Sequence, residues 1–353
     1  VSTSSTTPGR RRLGVVVNPS AGKGRGRVAG HAVISYLHDA GHDVWDLSGR
    51  SAALASERAQ RALREKLDAL VVVGGDGMVH LGLQVVAGTD VPLGIVPVGT
   101  GNDFASALGL PTLTTRHACD VLHAYLSEGE PGVRAVDAVY VTGHVANPGA
   151  DGGTWFAGAL SAGLDAAVNA RANAMVHPRG SSRYTIAALG ALATYLRYGY
   201  HLTFEGVPHD DLVTLPGAHP AVQRGPVGRT LAWTGDAAVV TAANGPRIGG
   251  GMLIAPHAST DDGLLDVVIA ANLDRAGAAL LFPRLLAHGR HLSHPAVHVV
   301  RCRAVTVEAR PSDGVGHPPA AYADGELLGT LPLRAEVRPG ALRVLAGGVG
   351  GPP

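Results

Sequence analysis

The sequence predicts an α/β chain in two parts, a doubly wound parallel-sheet unit followed by an antiparallel β-rich unit. Three observations carry this. Short branched apolar runs alternate with helix-spaced patterns up to Val133, three of those runs end in glycine-rich turns, and beyond Val133 the rhythm changes to period-two runs between turn residues. At 353 residues the chain also exceeds the roughly 100–200 residues of one domain.

The first run, Leu13 to Val17, reads as a buried strand, followed by the turn NPSAGKGRG and a helix from Val28 to Asp39. Val44 to Leu47 suggests a second strand. Ala52 to Leu67 is a helix whose wet side is supplied by Glu57, Arg58, Arg61, Arg64 and Glu65. Leu70 to Val73 is a third strand, broken by Gly74 to Gly77 before a helix that runs to about Val86. Pro92 to Val98 is a fourth, with a turn at Gly99 to Asn102 and a helix from Asp103 to Leu108. In the second half, strands are expected at Val136–Val141, Trp155–Ala159, Ala237–Ala242, Leu264–Ile269, Val297–Val300, Ala304–Ala309 and Leu331–Val337. One helical insertion lies at about Arg183–Tyr198, and Asp210 to Gly228 is an extended loop or hairpin. The expected boundaries are a loose tail at 1–12, the α/β unit at 13–133 and the β-rich unit at 134–346.

Composition narrows the function classes. Lys+Arg 29 against Asp+Glu 28 leaves a formal +1, and with 46% hydrophobic and 16% charged residues a charge-driven disordered tail or a general nucleic-acid binder is excluded as the whole molecule. Cys119 and Cys302 make neither a disulfide scaffold nor a CxxC site, and the 17 histidines include no HExxH pair. The polar N-terminus carries no visible targeting segment, and the chain reads as intracellular. Tyr184 to Leu196 falls short of the roughly 20 residues needed to span a bilayer, so any membrane contact is expected to be peripheral.

Each glycine-rich turn sits between a strand and a helix, where backbone N–H groups and a helix N-terminus can face an anion, phosphate above all. The first contains Gly24, Gly26 and Ala29 in dinucleotide-fold spacing. Asn18-Pro19-Ser20-Ala21 intervene before the glycines, and Gly22-Lys23 lacks the Ser or Thr of a Walker loop. The second, Gly74-Gly75-Asp76-Gly77, sets a carboxylate where phosphate would be repelled, so Asp76 holds a metal, accepts a proton, orients a donor, or merely caps the next helix. The third, PVGTGNDF, offers Thr100, Asn102 and Asp103, with helix capping as the alternative. Further on, Asp261-Asp262-Gly263 and Asp324-Gly325-Glu326 read most simply as hairpin turns. On an extended segment Asp324 and Glu326 would project to one side as a base or metal pair, and Asp261 and Asp262 could hold a hard cation.

The elements VVVNPSAGKGRG, VVVGGDG, LGIVPVGTGNDFA, DGLLDV and ADGE, in this order from Leu13 to Glu326, resemble the diacylglycerol kinase catalytic-domain family, which also holds sphingosine and ceramide kinases and bacterial soluble lipid kinases. GGDG alone is shared with NAD kinases. The resemblance implies an N-terminal α/β nucleotide domain and a C-terminal antiparallel β-sandwich with the active site between them. It also implies an ATP-dependent kinase that phosphorylates a lipid hydroxyl, most simply that of diacylglycerol, with Mg²⁺. It assigns nucleotide contacts to Asn18, Pro19, Ser20, Ala21 and Gly22, to Gly74, Gly75, Asp76 and Gly77, to Met78, Val79, His80 and Leu81 at the start of the next helix, and to Thr100 and Asn102, with Ser48 as a further hydroxyl. It places a structural magnesium at Asp262 with the carbonyls of Ser259 and Leu264, and the proton acceptor at Glu326 with Asp324 beside it. The family's usual GGDGT followed by Asn-Glu is here GGDG-Met78-Val79-His80-Leu81, and the common Arg after NDFA is Ser106. Sphingosine-kinase-like members share the aliphatic residue and the histidine. The implied setting is cytoplasmic, at the inner face of a membrane, and a homodimer is compatible with it. The rival readings are an NAD kinase, a kinase of sphingosine-type lipids, and a non-catalytic lipid-binding relative.

Overall fold

In a computed structural model, the described residues are 10–110, 114–128, 132–175, 182–194, 198–225, 228–286, 289–310 and 320–346. They group into two compact units, one of residues 1–136 with 340–353 and one of residues 137–339.

In the first unit, strands β1 (Arg12–Val17), β2 (Asp43–Asp46), β3 (Ala69–Gly74) and β4 (Leu93–Pro97) alternate with helices α1 (Ala21–Asp39), α2 (Ala52–Arg64) and α3 (Asp76–Val86). Helices α4 (Asp103–Ala107) and α5 (Thr115–Glu128) follow. The strands pair in parallel in the order β4-β3-β1-β2. β3 and β4 are buried along their whole length, as continuous Val/Leu/Ile runs between helix layers must be. Leu13, Val15, Val33, Leu37, Val71, Val96 and Leu122 meet in one core cluster. One strand of this sheet comes from far along the chain: Val344 pairs in parallel with Leu93. By their contacts the residues from 340 on group with the first unit. A period-two run shows that a segment is a strand but not which sheet takes it.

The second unit is antiparallel. Its strands are most of β5 (Val133–Val145), then β6 (Thr154–Phe156), β7 (Ala159–Gly163), β8 (Tyr198–Val207), β9 (His219–Gly225), β10 (Gly228–Ala243), β11 (Arg247–Ile248), β12 (Met252–Leu253), β13 (Leu265–Ala271), β14 (Val297–Cys302), β15 (Ala304–Arg310), β16 (Ala321–Ala323) and most of β17 (Glu326–Leu345). The first half of β10 pairs with β8 and its second half with β7 and β13; β17 likewise pairs with β16 at its start and β15 further on. Long strands that change partners in this way fold a sheet over on itself into a sandwich. Phe156, Leu160, Tyr200, Leu202, Phe204, Ile269, Val305 and Leu333 fill the space between its faces.

Among the described residues three α-helices, not one, interrupt these strands: α6 (Leu164–Ala174), α7 (Ser182–Ala193) and α8 (Arg275–Leu286). The expected helix at Arg183–Tyr198 ends at Ala193, and Tyr198 opens β8. α6 is built of small and polar residues without a clear apolar stripe, and α8 contains Gly277 and Pro283, so helical periodicity is weak in both. The stretch expected as loop or hairpin at 210–228 contains β9.

Asn244 ties this unit together. It is 0% exposed, and its Nδ2 donates to the Asp137 carbonyl at 3.1 Å and the Ala157 carbonyl at 2.8 Å. Its backbone N–H donates to the Gly158 carbonyl at 2.8 Å. Asn244→Leu, which keeps volume but removes the donors, is expected to lower the unfolding free energy by about 1–3 kcal/mol. Urea unfolding of the full chain measures this, and an unchanged midpoint would mean that those carbonyls find other donors.

Candidate functional site

The three glycine-rich turns of the first unit lie at the C-terminal ends of β1, β3 and β4, where crevices of parallel sheets open. They touch one another. Asn18 N–H donates to the Val73 carbonyl at 3.0 Å, and Val98 N–H to the Gly74 carbonyl at 2.9 Å. A Cβ placed on Gly99 would lie 2.5 Å from the Gly75 Cα and 2.7 Å from the Asn102 Oδ1. Two turns can approach this closely only where neither backbone carries a side chain.

Within the first turn, Gly22, Lys23 and Gly24 have φ of 56°, 62° and 95°, so the regular part of α1 starts after them and residues 18–24 form a loop. Pro19 and Ser20 are exposed and Asn18 is half-buried, its Oδ1 accepting the Ser20 N–H at 3.0 Å. Ser48 is placed beside this turn, but its hydroxyl oxygen accepts the Val17 N–H at 3.0 Å, which gives it a structural task at the end of β1.

Asp76 does not cap its own helix. The N-cap of α3 is Gly75, and Asp76 is the first helical residue; its Oδ1 accepts the Phe104 N–H of α4 at 3.4 Å. The carboxylate thus links the second turn to the third. Asn102, in left-handed backbone with φ 55°, donates from Nδ2 to the Gly99 carbonyl at 3.1 Å, while its Oδ1 is buried without a partner among the described residues. Thr100 is exposed. Met78, Val79 and Leu81 are 8%, 4% and 8% exposed, the Met78 and Val79 N–H groups already donate to the Gly75 carbonyl at 2.9 and 3.3 Å, and His80 is half-buried.

In the second unit, Asp324 and Gly325 have φ of 51° and 83° and form a two-residue turn between paired Ala323 and Glu326. This corrects the extended pair expected of Asp324 and Glu326. Asp324 Oδ2 accepts the Ala157 N–H at 2.9 Å, and Oδ1 accepts those of Gly158 at 2.9 Å and Ala159 at 3.2 Å. Glu326, opening β17, is exposed. Of the two carboxylates, Asp324 is engaged as an anchor and Glu326 stands open to solvent.

Two polar residues on the unrecognised helix α6 escaped the sequence reading, and the first of them supports this hairpin. Asn173 Nδ2 donates to the Gly325 carbonyl at 2.8 Å. Asp165, in the first turn of α6, receives the Thr241 hydroxyl at 2.5 Å. Burial pushes its carboxyl up to about 6, against the opposing hydrogen bonds from Thr241 and Ser161. The only sequence signal was an acid directly after the apolar run ALSAGL.

The expected ion site at Ser259, Asp262 and Leu264 already has a cation. Arg301 Nη2 lies 2.6 Å from Asp262 Oδ2, and Asp262 Oδ1 accepts the Leu264 N–H at 3.0 Å. The Ser259 hydroxyl donates to Asp261. Among the described residues no group of three or more His, Cys, Asp or Glu is arranged to hold a metal. With one Asp262 oxygen on the Arg301 guanidinium and the other on the Leu264 N–H, the donor set at this turn does not fit a bound divalent ion.

A parallel-sheet unit whose three glycine-rich turns lie against one another, in one chain with an antiparallel sandwich, defines a two-part α/β protein. The comparisons narrow it. Residues 12–129 match the diacylglycerol kinase catalytic domain, and residues 158–346 match the YegS C-terminal NAD kinase beta sandwich-like domain. A diacylglycerol kinase of Mycobacterium tuberculosis is 33% identical over 336 residues, 95% of this chain and 94% of the relative. A Pseudomonas fluorescens protein named "Probable lipid kinase YegS-like" is 32% identical over 85% of each chain. The crystal structure of a diacylglycerol kinase from Bacillus anthracis superposes with a TM-score of 0.61, covering 96% of this chain and 97% of that one at 18% identity, a likeness of fold. The chain belongs to the diacylglycerol kinase catalytic-domain family of lipid kinases.

Two outcomes follow from this geometry. Gly99→Ala forces a side chain into Gly75 and is expected to cost about 1–3 kcal/mol. It should also abolish nucleotide-induced stabilisation in thermal melts, and an undiminished nucleotide shift would separate the turns from nucleotide binding. Asp165 binds its proton more tightly folded than unfolded, so its contribution to stability is lost as pH rises from its ordinary 3.8 to about 6, and is flat above that. Asp165→Asn should flatten that part of the stability profile in urea titrations, and an unaltered profile would remove Asp165 as its source.

Proposed function

We propose that the chain is an ATP-dependent lipid kinase that converts diacylglycerol to phosphatidic acid. The observation that carries this reading is the 33% identity, over 95% of the chain, to a relative named diacylglycerol kinase. The first unit supplies nucleotide contacts. The backbone of Asn18–Gly22 and of Gly74–Gly77 cradles the phosphates, with the N-terminus of α3 from Met78 to Leu81 favouring their charge and Thr100 and Asn102 closing the third turn. Asp76 orients the second and third turns through the Phe104 N–H. Mg²⁺ brought with the nucleotide neutralises charge on the phosphates.

Phosphoryl transfer then needs a receiver for the hydroxyl proton. The lipid oxygen bonds to the γ-phosphorus, the bond to the bridging oxygen of ADP breaks, and the proton passes to the Glu326 carboxylate. Asp324 holds the hairpin that presents Glu326. A bilayer-resident substrate sets the reaction at a membrane surface, the cytoplasmic inner face in this reading, reached by peripheral contact. Among the described residues no helix is long and apolar enough to cross a membrane.

The deciding experiment incubates purified protein with radiolabelled ATP and a lipid panel, with mass identification of the product. Phosphatidic acid is expected. NADP formed from NAD would overturn the reading in favour of an NAD kinase, and lipid retention without turnover in favour of a non-catalytic binder. Glu326→Gln is expected to lose at least about 10²-fold in turnover, with ATP binding little changed. If Glu326→Gln stays active while a folded Asp324→Asn is dead, Asp324 is the base instead.

A further inference from the structure

The family resemblance implies a structural divalent ion at the Asp262 turn, yet the second unit supplies a positive charge there from its own chain. Arg301 stands on β14 directly opposite Asp266 of β13 in the antiparallel register. Its guanidinium reaches three carboxylates through three different nitrogens: Nη2 to Asp262 Oδ2 at 2.6 Å, Nε to Asp266 Oδ1 at 3.5 Å, and Nη1 to Asp211 Oδ2 at 3.7 Å. Asp266 is buried, with its side chain 6% exposed. A buried carboxylate requires a counter-charge, and a planar fork that is always protonated is well suited to serve several at once.

The guanidinium lies against Asp262 Oδ2, the oxygen that an ion at this turn would need. Mg²⁺ demands oxygens at about 2.0–2.1 Å in near-octahedral array, and an ion on Asp262 Oδ2 would lie within about 5 Å of a second positive charge. The remaining Asp262 oxygen already accepts the Leu264 N–H. We propose that Arg301 is the resident cation of this turn, standing in for the divalent ion the family resemblance implies, so that the turn between β12 and β13 holds its shape without metal. The proposal concerns the scaffold and does not depend on which substrate is phosphorylated.

Thermal unfolding of the full chain, without nucleotide, tests it in EDTA, in millimolar Mg²⁺ and in millimolar Ca²⁺. The unsubstituted protein is expected to melt at the same temperature in all three. Arg301→Gln is expected to melt a few degrees lower and to regain part of that loss in Mg²⁺ or Ca²⁺, because the acids then lack a cation. The gain should vanish when Asp262→Asn is added. Arg301→Lys keeps the charge and should remain indifferent to divalent ions. A fall in the melting temperature of the unsubstituted protein in EDTA, restored by Mg²⁺, would overturn the proposal. So would an Arg301→Gln protein that folds and gains nothing from divalent ions, or equal gains in the Lys and Gln variants. Should Arg301→Gln fail to fold, the unsubstituted protein and Arg301→Lys decide it by themselves.

Discussion

The carboxylate of Asp324 accepts three successive backbone N–H groups, from Ala157, Gly158 and Ala159, and most of what positions the second unit's candidate chemistry hangs on that contact. Hydrogen bonds to an ionised acceptor are roughly twice as strong as neutral ones, and these three join a hairpin tip to a segment more than a hundred residues earlier. The far side of that segment is held by Asn244, whose side chain reaches on to the Asp137 carbonyl. Asp137 in turn accepts the Gly263 N–H at 2.7 Å. One continuous polar chain thus runs from the Glu326 hairpin to the Asp262 turn, buried at Asn244 and Asp137.

A carboxylate that accepts several backbone N–H groups is fixed by them, so one acid serves as a structural clamp beside an acid left open. Asp324 occupies left-handed backbone, which Asn, Asp and Gly tolerate best. Its conformation points the carboxylate back at the 157–159 segment and leaves Glu326, the first residue of β17, at the surface. The division of labour between two neighbouring carboxylates is thus a consequence of turn geometry.

The first unit solves a different problem by leaving side chains out. Gly75 and Gly99 let two strand ends come within backbone contact, and Asp76 then bonds across to α4. The resulting surface consists largely of peptide groups at strand ends, a composition suited to phosphate oxygens.

The strands of the parallel unit, the three glycine-rich turns and the Asp-Gly hairpin were legible in the sequence, because burial on both faces and turn chemistry leave local patterns a few residues long. The family motifs were legible for the same reason. Helices α6 and α8 were not, since small residues and an internal proline blur their periodicity. Nor was the return of Val344 to the parallel sheet, as pairing partners are not written into a strand. Which acids are free and which are spent was decided by tertiary structure alone. Asp262 meets Arg301 from 39 residues away and Asp324 meets Ala157 from 167, and no local pattern encodes a partner at such a distance. The sequence by itself determined which residue types stand at the turns; the tertiary fold determined their partners, because a carboxylate's role depends on the donors and charges brought to it.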